Sequence, residues 1–121
     1  MKTIRLTAAA FAATLILSCV HKSDIPSEPQ ISFSQQVQPI IIGNCTQEGC
    51  HGTNKGGEEE RLELLTYANV ARLVSPGNAR QSRLYRAITG NGAGTMPPAG
   101  YMSEANIQTI YLWIEQGAKN N

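Results

Sequence analysis

Two cysteines and a histidine lie close together in the first half of the chain. Cys45 and Cys50 are separated by four residues, and His51 follows Cys50 directly. Two thiols and an imidazole can form a disulfide, bind zinc or bind an iron cofactor. The spacing of these three residues and the rest of the sequence must decide among these three kinds of site.

A disulfide and a zinc site are each weakly favoured. A Cys45–Cys50 disulfide would close so short a loop that it would stabilise the fold little, and it would leave His51 unexplained. A structural zinc site generally takes four protein ligands, whereas Cys45, Cys50 and His51 supply three. The only other histidine, His21, lies in a polar segment near the N-terminus.

The adjacency of Cys50 and His51 is typical of covalent haem attachment. Two thiols add to the vinyl groups of haem, and the histidine after the second thiol becomes an iron ligand. The usual motif has two residues between the cysteines, whereas this one has four, so the extra residues must loop out. Gly49 favours such a loop because glycine adopts conformations that other residues avoid. The disulfide stays open as an alternative at this point.

The third cysteine, Cys19, directly follows an apolar segment. Lys2 and Arg5 precede the segment Leu6–Leu17, which is too short to span a bilayer and is typical of a secretory signal peptide. The run Leu15-Ile16-Leu17-Ser18-Cys19 resembles a bacterial lipobox, in which the cysteine is lipidated and becomes the new N-terminus. We therefore predict lipidation of Cys19.

The chain of 121 residues is long enough for about one domain. We predict a signal peptide at residues 1–18, a lipidated N-terminus and polar tether at 19–30, and one domain at 31–121. The net charge of +1, without a basic stripe, gives no support for nucleic-acid binding, and we expect no charged patch that would steer a partner.

Apolar residues at helical spacing predict an all-α domain of three to four helices with long loops. The first helix is predicted to be capped by Ser34, with Pro39 as a kink or as its true start. Thr66 and Ser82 are predicted caps of two short helices, and the last helix is predicted over residues 104–116. The segment from Lys55 to Glu60 is predicted to be a solvated loop.

Residues 33–118 resemble the small class I-like cytochrome c domains of exported bacterial proteins. The resemblance depends on the order of several short runs: Val37-Gln38-Pro39-Ile40-Ile41, Cys50-His51-Gly52, Val74-Ser75-Pro76-Gly77-Asn78, Ser82-Arg83-Leu84-Tyr85, Met96-Pro97-Pro98 and Trp113-Ile114-Glu115-Gln116-Gly117-Ala118. It implies a cytochrome c-like fold around one covalently bound haem c.

A second iron ligand is expected from one of three methionines. Met1 lies in the signal peptide, and Met102 precedes the predicted cap Ser103, where a hydrophobic staple with Ile107 accounts for it. Met96 lies in a loop rich in Gly and Pro, and in the resembled family a methionine in this place completes His/Met ligation. We predict that Met96 binds the iron; otherwise it only covers the haem face.

The surroundings of the haem are less well defined by the sequence. Position in the family pattern implies that the loop Ser75-Pro76-Gly77 supplies a carbonyl to His51. The candidates for contacts with haem propionates are Tyr67, Tyr85, Tyr101, Arg72 and Arg83, and for each of them core packing or surface charge is an equal alternative. Trp113 is expected in the core against the first helix.

These expectations predict an electron carrier rather than an enzyme, since an iron bound by His51 and Met96 has no vacant position for a substrate. We expect transient contacts with redox proteins, membrane attachment through lipid, no nucleic acid and no small-molecule substrate. The location would be the periplasmic face of a bacterial membrane or the cell surface. The alternatives are an open-site haem domain, acting as a gas sensor or a peroxidase-like enzyme, and a non-haem lipoprotein with a Cys45–Cys50 disulfide.

Overall fold

The computed structural model describes residues 29–52, 62–92 and 94–121, and within these ranges it is helical, with no β-strand. The all-α fold class is therefore confirmed. The elements, in chain order, are a π-helical turn Phe33–Val37, α1 Gln38–Cys45, α2 Tyr67–Ala71, a 3₁₀ turn Ala79–Gln81, α3 Arg83–Ile88 and α4 Glu104–Glu115. The predicted signal peptide, most of the tether and the predicted loop from Lys55 to Glu60 lie outside the described residues.

The first helical segment begins two residues earlier than predicted. Ser32, not Ser34, is its N-cap, and the Ser32 hydroxyl accepts a hydrogen bond from the backbone N–H of Gln35 at 3.3 Å. The segment starts as a π turn and becomes an α-helix only at Gln38, beside Pro39. Proline has no N–H to donate to the preceding turn, so the α-helical hydrogen bonds start next to it. Of the two predicted alternatives, this corresponds to a helix that starts at Pro39 rather than one that kinks there.

The N-terminal caps of α2, α3 and α4 agree with those predicted from the sequence, with one exception. The hydroxyls of Thr66 and Ser103 accept hydrogen bonds from Asn69 and Asn106 at the starts of α2 and α4. Ser82 lies at the start of α3, but its buried hydroxyl donates to the carbonyl of Asn78 at 2.9 Å instead of capping the helix. Ser82 therefore joins α3 to the preceding turn.

The core lies where the first and last helices meet. Trp113 is fully buried, and its ring lies 5.4 Å from that of Phe33, which confirms the expected packing against the first helical segment. Its indole N–H donates to the carbonyl of Lys119 at 2.9 Å, so the buried polar group is satisfied. The phenol of Tyr67, whose ring also packs on Phe33, donates to the carbonyl of Ala118 at 2.9 Å.

None of the helices within the described ranges is both long and apolar enough to cross a membrane. The predicted membrane attachment concerns Cys19, which lies outside these ranges.

Candidate functional site

The C-terminal end of α1 is closed by three side chains that follow or precede its last residue, Cys45. Asn44, Thr46 and Gln47 each donate to a carbonyl four residues earlier, at 2.7, 2.9 and 3.0 Å. The last four carbonyls of a helix have no partner within the helix, and Thr46 and Gln47 satisfy two of them, those of Ile42 and Gly43. The helix therefore stops at Cys45.

The four residues between the cysteines form a tight loop. The N–H of Cys50 donates to the carbonyl of Gln47 at 2.9 Å, and Gly49 has a φ of +79°. The N–H of His51 then donates to the carbonyl of Cys45 at 2.9 Å, so the chain returns to the end of α1. The two extra residues thus loop out while Cys45 and His51 stay adjacent, with Gly49 in the role expected from its conformational freedom.

Gly52 makes the closest approach to this loop. A Cβ atom at position 52 would lie 2.8 Å from the backbone oxygen of Thr46, a distance that would force the backbone to move. Because glycine has no Cβ atom, Gly52 allows the chain to approach the backbone of Thr46 this closely. Sequence reasoning assigned it no role, because only the fold brings it against Thr46.

The imidazole of His51 is oriented by the segment that follows the undescribed residues 53–61. Its Nδ1 lies 2.8 Å from the carbonyl oxygen of Leu62, and the N–H of Leu64 donates to the carbonyl of His51 at 2.8 Å. A carbonyl only accepts, so Nδ1 is the donor in this bond and Nε2 is the nitrogen that remains able to ligate a metal.

This geometry corrects the expectation that Ser75-Pro76-Gly77 orients His51. Those residues turn towards the last helix instead, where the N–H of Gly77 donates to the carbonyl of Ile114 at 2.7 Å. The sequence offered no signal for Leu62, because a backbone carbonyl is available at every residue and only the tertiary path selects one.

Both thiols of the motif are free, and their environments differ. Cys45 is 8% exposed, whereas Cys50 is exposed to solvent. Burial raises the pKa of the Cys45 thiol, and the neighbouring Cys50 raises it further. The structure therefore contains two thiols rather than the disulfide of the alternative interpretation.

Met96 is attached to α3 through its backbone. Its N–H donates to the carbonyl of Ala87 at 3.0 Å, and its side chain is 37% exposed. Met102 is only 5% exposed and belongs to the core, as its predicted structural role requires. Of the two methionines, only Met96 is placed beside the cysteines and His51.

Two adjoining cavities contain all four predicted site residues. The first, about 450 Å³, is lined by Cys50, and the second, about 540 Å³, is lined by leucines and by two arginines of α3. Both are lined by Cys45, His51, Leu62 and Met96, so the two cavities adjoin, and together they are called the groove below. Its size and apolar character suit an organic cofactor.

The donor set of this groove fits haem. It offers two free thiols for thioether bonds, an imidazole with Nε2 available, and a thioether sulfur, which is a soft ligand suited to haem iron. Within the described ranges, no group of three His, Cys, Asp or Glu side chains is placed to bind a metal ion. The groove thus favours haem attachment over a zinc site.

Comparison with known protein families gives a match over part of the chain. Residues 48–100 match the family described as Planctomycete cytochrome C. The matched region contains Cys50, His51 and Met96 and begins after Cys45. Neither the curated proteins nor the solved structures contain a match to this chain. The family match supports a c-type cytochrome-like domain that binds haem and has a function of the electron-transfer type.

Proposed function

We propose that this chain is a membrane-anchored, mono-haem c-type cytochrome that carries single electrons between redox proteins. The haem would be attached through Cys45 and Cys50, with His51 and Met96 as its iron ligands. The observation that supports this most directly is the 2.8 Å contact between His51 Nδ1 and the carbonyl of Leu62. It engages Nδ1 and leaves Nε2 as the nitrogen that can ligate iron, in a groove that is also lined by Cys45, Cys50 and Met96.

The protein groups have separate tasks in this proposal. Cys45 and Cys50 keep the cofactor attached while the domain meets and leaves its partners. Leu62 fixes the ring of His51, and the hydrogen bond from Met96 to Ala87 fixes the loop that presents the sulfur. When bound, the haem supplies an iron that takes up and releases one electron.

The proposed ligation favours electron transfer over catalysis. An iron bound by both His51 and Met96 would have no position left for a substrate or a gas. Methionine ligation also raises the reduction potential relative to two nitrogen ligands. Redox encounters of this kind typically bury small interfaces and dissociate readily. The domain would therefore act as a carrier or as the electron-input module of a larger membrane complex.

The proposed location depends on Cys19. Lipidation of this residue would hold the N-terminus at the periplasmic face of a bacterial membrane or at the cell surface. Residues 20–30, with two prolines and no apolar period, would then separate the domain from the bilayer. Several acyl chains give stable anchoring, whereas a single chain is only marginal.

A haem stain of the denatured protein tests the proposal, after expression in a host that attaches haem c. We expect one haem per chain, and loss of the stained band in the Cys45→Ala/Cys50→Ala variant. The single variants should retain less haem than the native chain, since one thioether bond remains. A native chain without covalent haem would overturn the proposal and favour the non-haem lipoprotein.

A further inference from the structure

The polar tether joins the domain at one fixed place. The carbonyl of Pro29 accepts a hydrogen bond from the side-chain amide of Gln116 at 3.3 Å, and the N–H of Ile31 donates to the side-chain oxygen of Gln116 at 2.7 Å. The hydroxyl of Ser32 donates to the carbonyl of Asn121 at 2.8 Å. Residues 29–32, Gln116 and Asn121 form what we call the junction. These bonds hold the end of the tether beside the C-terminal end of α4.

Two helical elements each have one end at the junction. The π turn Phe33–Val37 starts there and continues directly into α1, whose last residue is Cys45. α4 begins at Glu104 and ends at the junction. The rings of Phe33 and Trp113, 5.4 Å apart, hold the two elements together near their junction ends. At about 1.5 Å per residue, the far end of each element lies roughly 18 Å from the junction.

The groove lies at the far ends of these two elements. Cys45, the last residue of α1, lines both cavities, and the loop that precedes α4 contributes Met96, Pro97 and Pro98 to the first cavity. Of the residues that line the first cavity, Cys50, Met96 and Pro98 are exposed, and these three are called the groove mouth. No junction residue lines either cavity. The groove mouth and the junction are therefore at different ends of the domain.

The tether is short relative to the domain. Cys19 and Pro29 are ten residues apart in the sequence, and a chain of this length spans at most about 35 Å. A domain of about ninety residues has a radius of gyration of about 12 Å, and hence a width of roughly 30 Å. To bring the groove mouth to the bilayer, the tether would have to run along almost the whole width of the domain. An anchor at Cys19 therefore favours an orientation with the junction towards the membrane.

The residues around the groove mouth suit a protein partner. Residues 87–103 contain no charged side chain, and they include Met96, which is 37% exposed, and Tyr101, which is 74% exposed. Enrichment in Met and Tyr with few charged residues is typical of the centre of a protein–protein interface. A surface that binds lipid headgroups generally adds Lys or Arg to its apolar residues, and residues 87–103 contain neither.

We propose that the groove mouth faces away from the bilayer and exchanges electrons with a water-soluble redox protein, not with a quinone dissolved in the membrane. This inference rests on the proposed function, since it requires a lipidated Cys19 and a bound haem. The ferrous iron gives one electron to the oxidised partner protein and becomes ferric, and no proton or chemical group is transferred.

Spin labels at two exposed positions test this orientation. Asn120→Cys places a label beside the junction, and Ala99→Cys places one beside the groove mouth. The lipidated, haem-loaded protein is reconstituted into phosphatidylcholine vesicles with and without a nickel-chelating lipid, and relaxation of each label is measured by electron paramagnetic resonance. The comparison without nickel removes the effect of the haem iron. We expect nickel at the headgroups to relax the label at position 120 several times more strongly than the label at position 99.

A longer tether provides the control for this measurement. Insertion of about twenty Gly and Ser residues between Glu28 and Pro29 leaves the domain unchanged but allows it to turn over. The difference between the two labels should then become much smaller. Equal effects of nickel at the two positions with the native tether, or a stronger effect at position 99, would overturn the inference.

Electron exchange on the same vesicles gives a second measurement. The reduced protein is mixed with an oxidised, water-soluble blue-copper protein, and the oxidised protein is incubated with decylubiquinol in the bilayer. We expect oxidation by the copper protein to be as fast on vesicles as in detergent solution, and reduction by decylubiquinol to be several times slower on vesicles than in detergent. The reverse pattern would contradict the inference.

The outcomes also separate this inference from the proposed function. A haem-loaded protein that does not associate with membranes would contradict the proposed anchor at Cys19, and the inference with it. A protein that is membrane-bound and stains for haem, but whose two labels respond equally to nickel, would contradict only the orientation of the groove mouth.

Discussion

The Nδ1 atom of His51 lies 2.8 Å from the carbonyl oxygen of Leu62, eleven residues further along the chain. The backbone of His51 is bound to the same segment, because its carbonyl accepts the N–H of Leu64. Both the ring and the main chain of the proposed ligand are thus positioned by residues 62–64. A histidine held in this way has one tautomer and one ring orientation before any metal binds.

The segment that positions His51 is itself attached to α1. The side-chain amide of Gln38 donates to the carbonyl of Leu65 at 3.1 Å. We expect Gln38→Met to lower the free energy of unfolding by about 1 kcal/mol, since the part-buried carbonyl loses its partner. Denaturant titration followed by circular dichroism measures this. Gln35→Met, at an exposed position of the preceding turn, is the control, and an equal loss in both variants would contradict the prediction.

Met96 and Met102 provide a matched pair for testing the sixth ligand. Met96→Leu should abolish the weak sulfur-to-iron absorption band of the oxidised protein and lower its reduction potential, because leucine has a similar volume but no sulfur. Met102→Leu should keep the band and cost less than about 1.5 kcal/mol, as a volume-conserving core substitution. A band that survives Met96→Leu would favour another ligand, and its absence from the native protein would favour the open-site haem alternative.

Substitution by alanine should have opposite effects on the stability of the domain at Gly52 and at Gly43. A Cβ at Gly52 meets the backbone oxygen of Thr46 at 2.8 Å, whereas a Cβ at Gly43 meets nothing within 4 Å. We expect Gly52→Ala to destabilise the domain by roughly 1–3 kcal/mol and to reduce haem attachment, because the loop must shift. Gly43→Ala, within α1, should stabilise it by about 0.5–1 kcal/mol.

Unfolding curves and haem stains of the two glycine variants, run in parallel, measure both effects. If Gly52→Ala were as stable and as fully loaded with haem as the native chain, the prediction that position 52 requires glycine beside Thr46 would be wrong.

The two thiols should react at different rates before haem is attached. Burial raises the pKa of Cys45, so at a given pH a smaller fraction is thiolate, the form that reacts. We expect iodoacetamide to modify the exposed Cys50 first, with Cys45 gaining reactivity as the pH rises from about 7 to 9. Peptide mass spectrometry quantifies each site. Concentrated urea should abolish the difference, and unchanged selectivity in urea would show that folding is not its cause.

Lipidation of Cys19 predicts a change of fractionation. Cys19→Ala should move the protein from the membrane fraction to the soluble fraction almost completely, since the acyl chains provide the proposed attachment. Immunoblots of the fractions measure this, and a haem stain of the same samples controls for folding. Retention of Cys19→Ala in the membrane fraction would indicate another mode of attachment.

Local sequence patterns determined much of this protein. Helical spacing of apolar residues predicted the all-α class, and Thr66 and Ser103 cap their helices as their residue types suggest. The order Cys45, Cys50, His51 named a possible haem motif before any fold was considered. These properties depend on neighbours within a few residues, so they can be predicted from the sequence alone.

Other properties required the tertiary structure. Ser82 has the residue type of a helix cap, but its burial against Asn78 gives its hydroxyl a different partner. The carbonyl of Leu62 is chemically identical to every other carbonyl, and only the path of the chain brings it to His51. The role of Gly52 likewise follows from its distance to the backbone of Thr46, which only the path of the loop sets. Contacts of this kind are set by packing, because they join groups whose local sequence contains no information about each other.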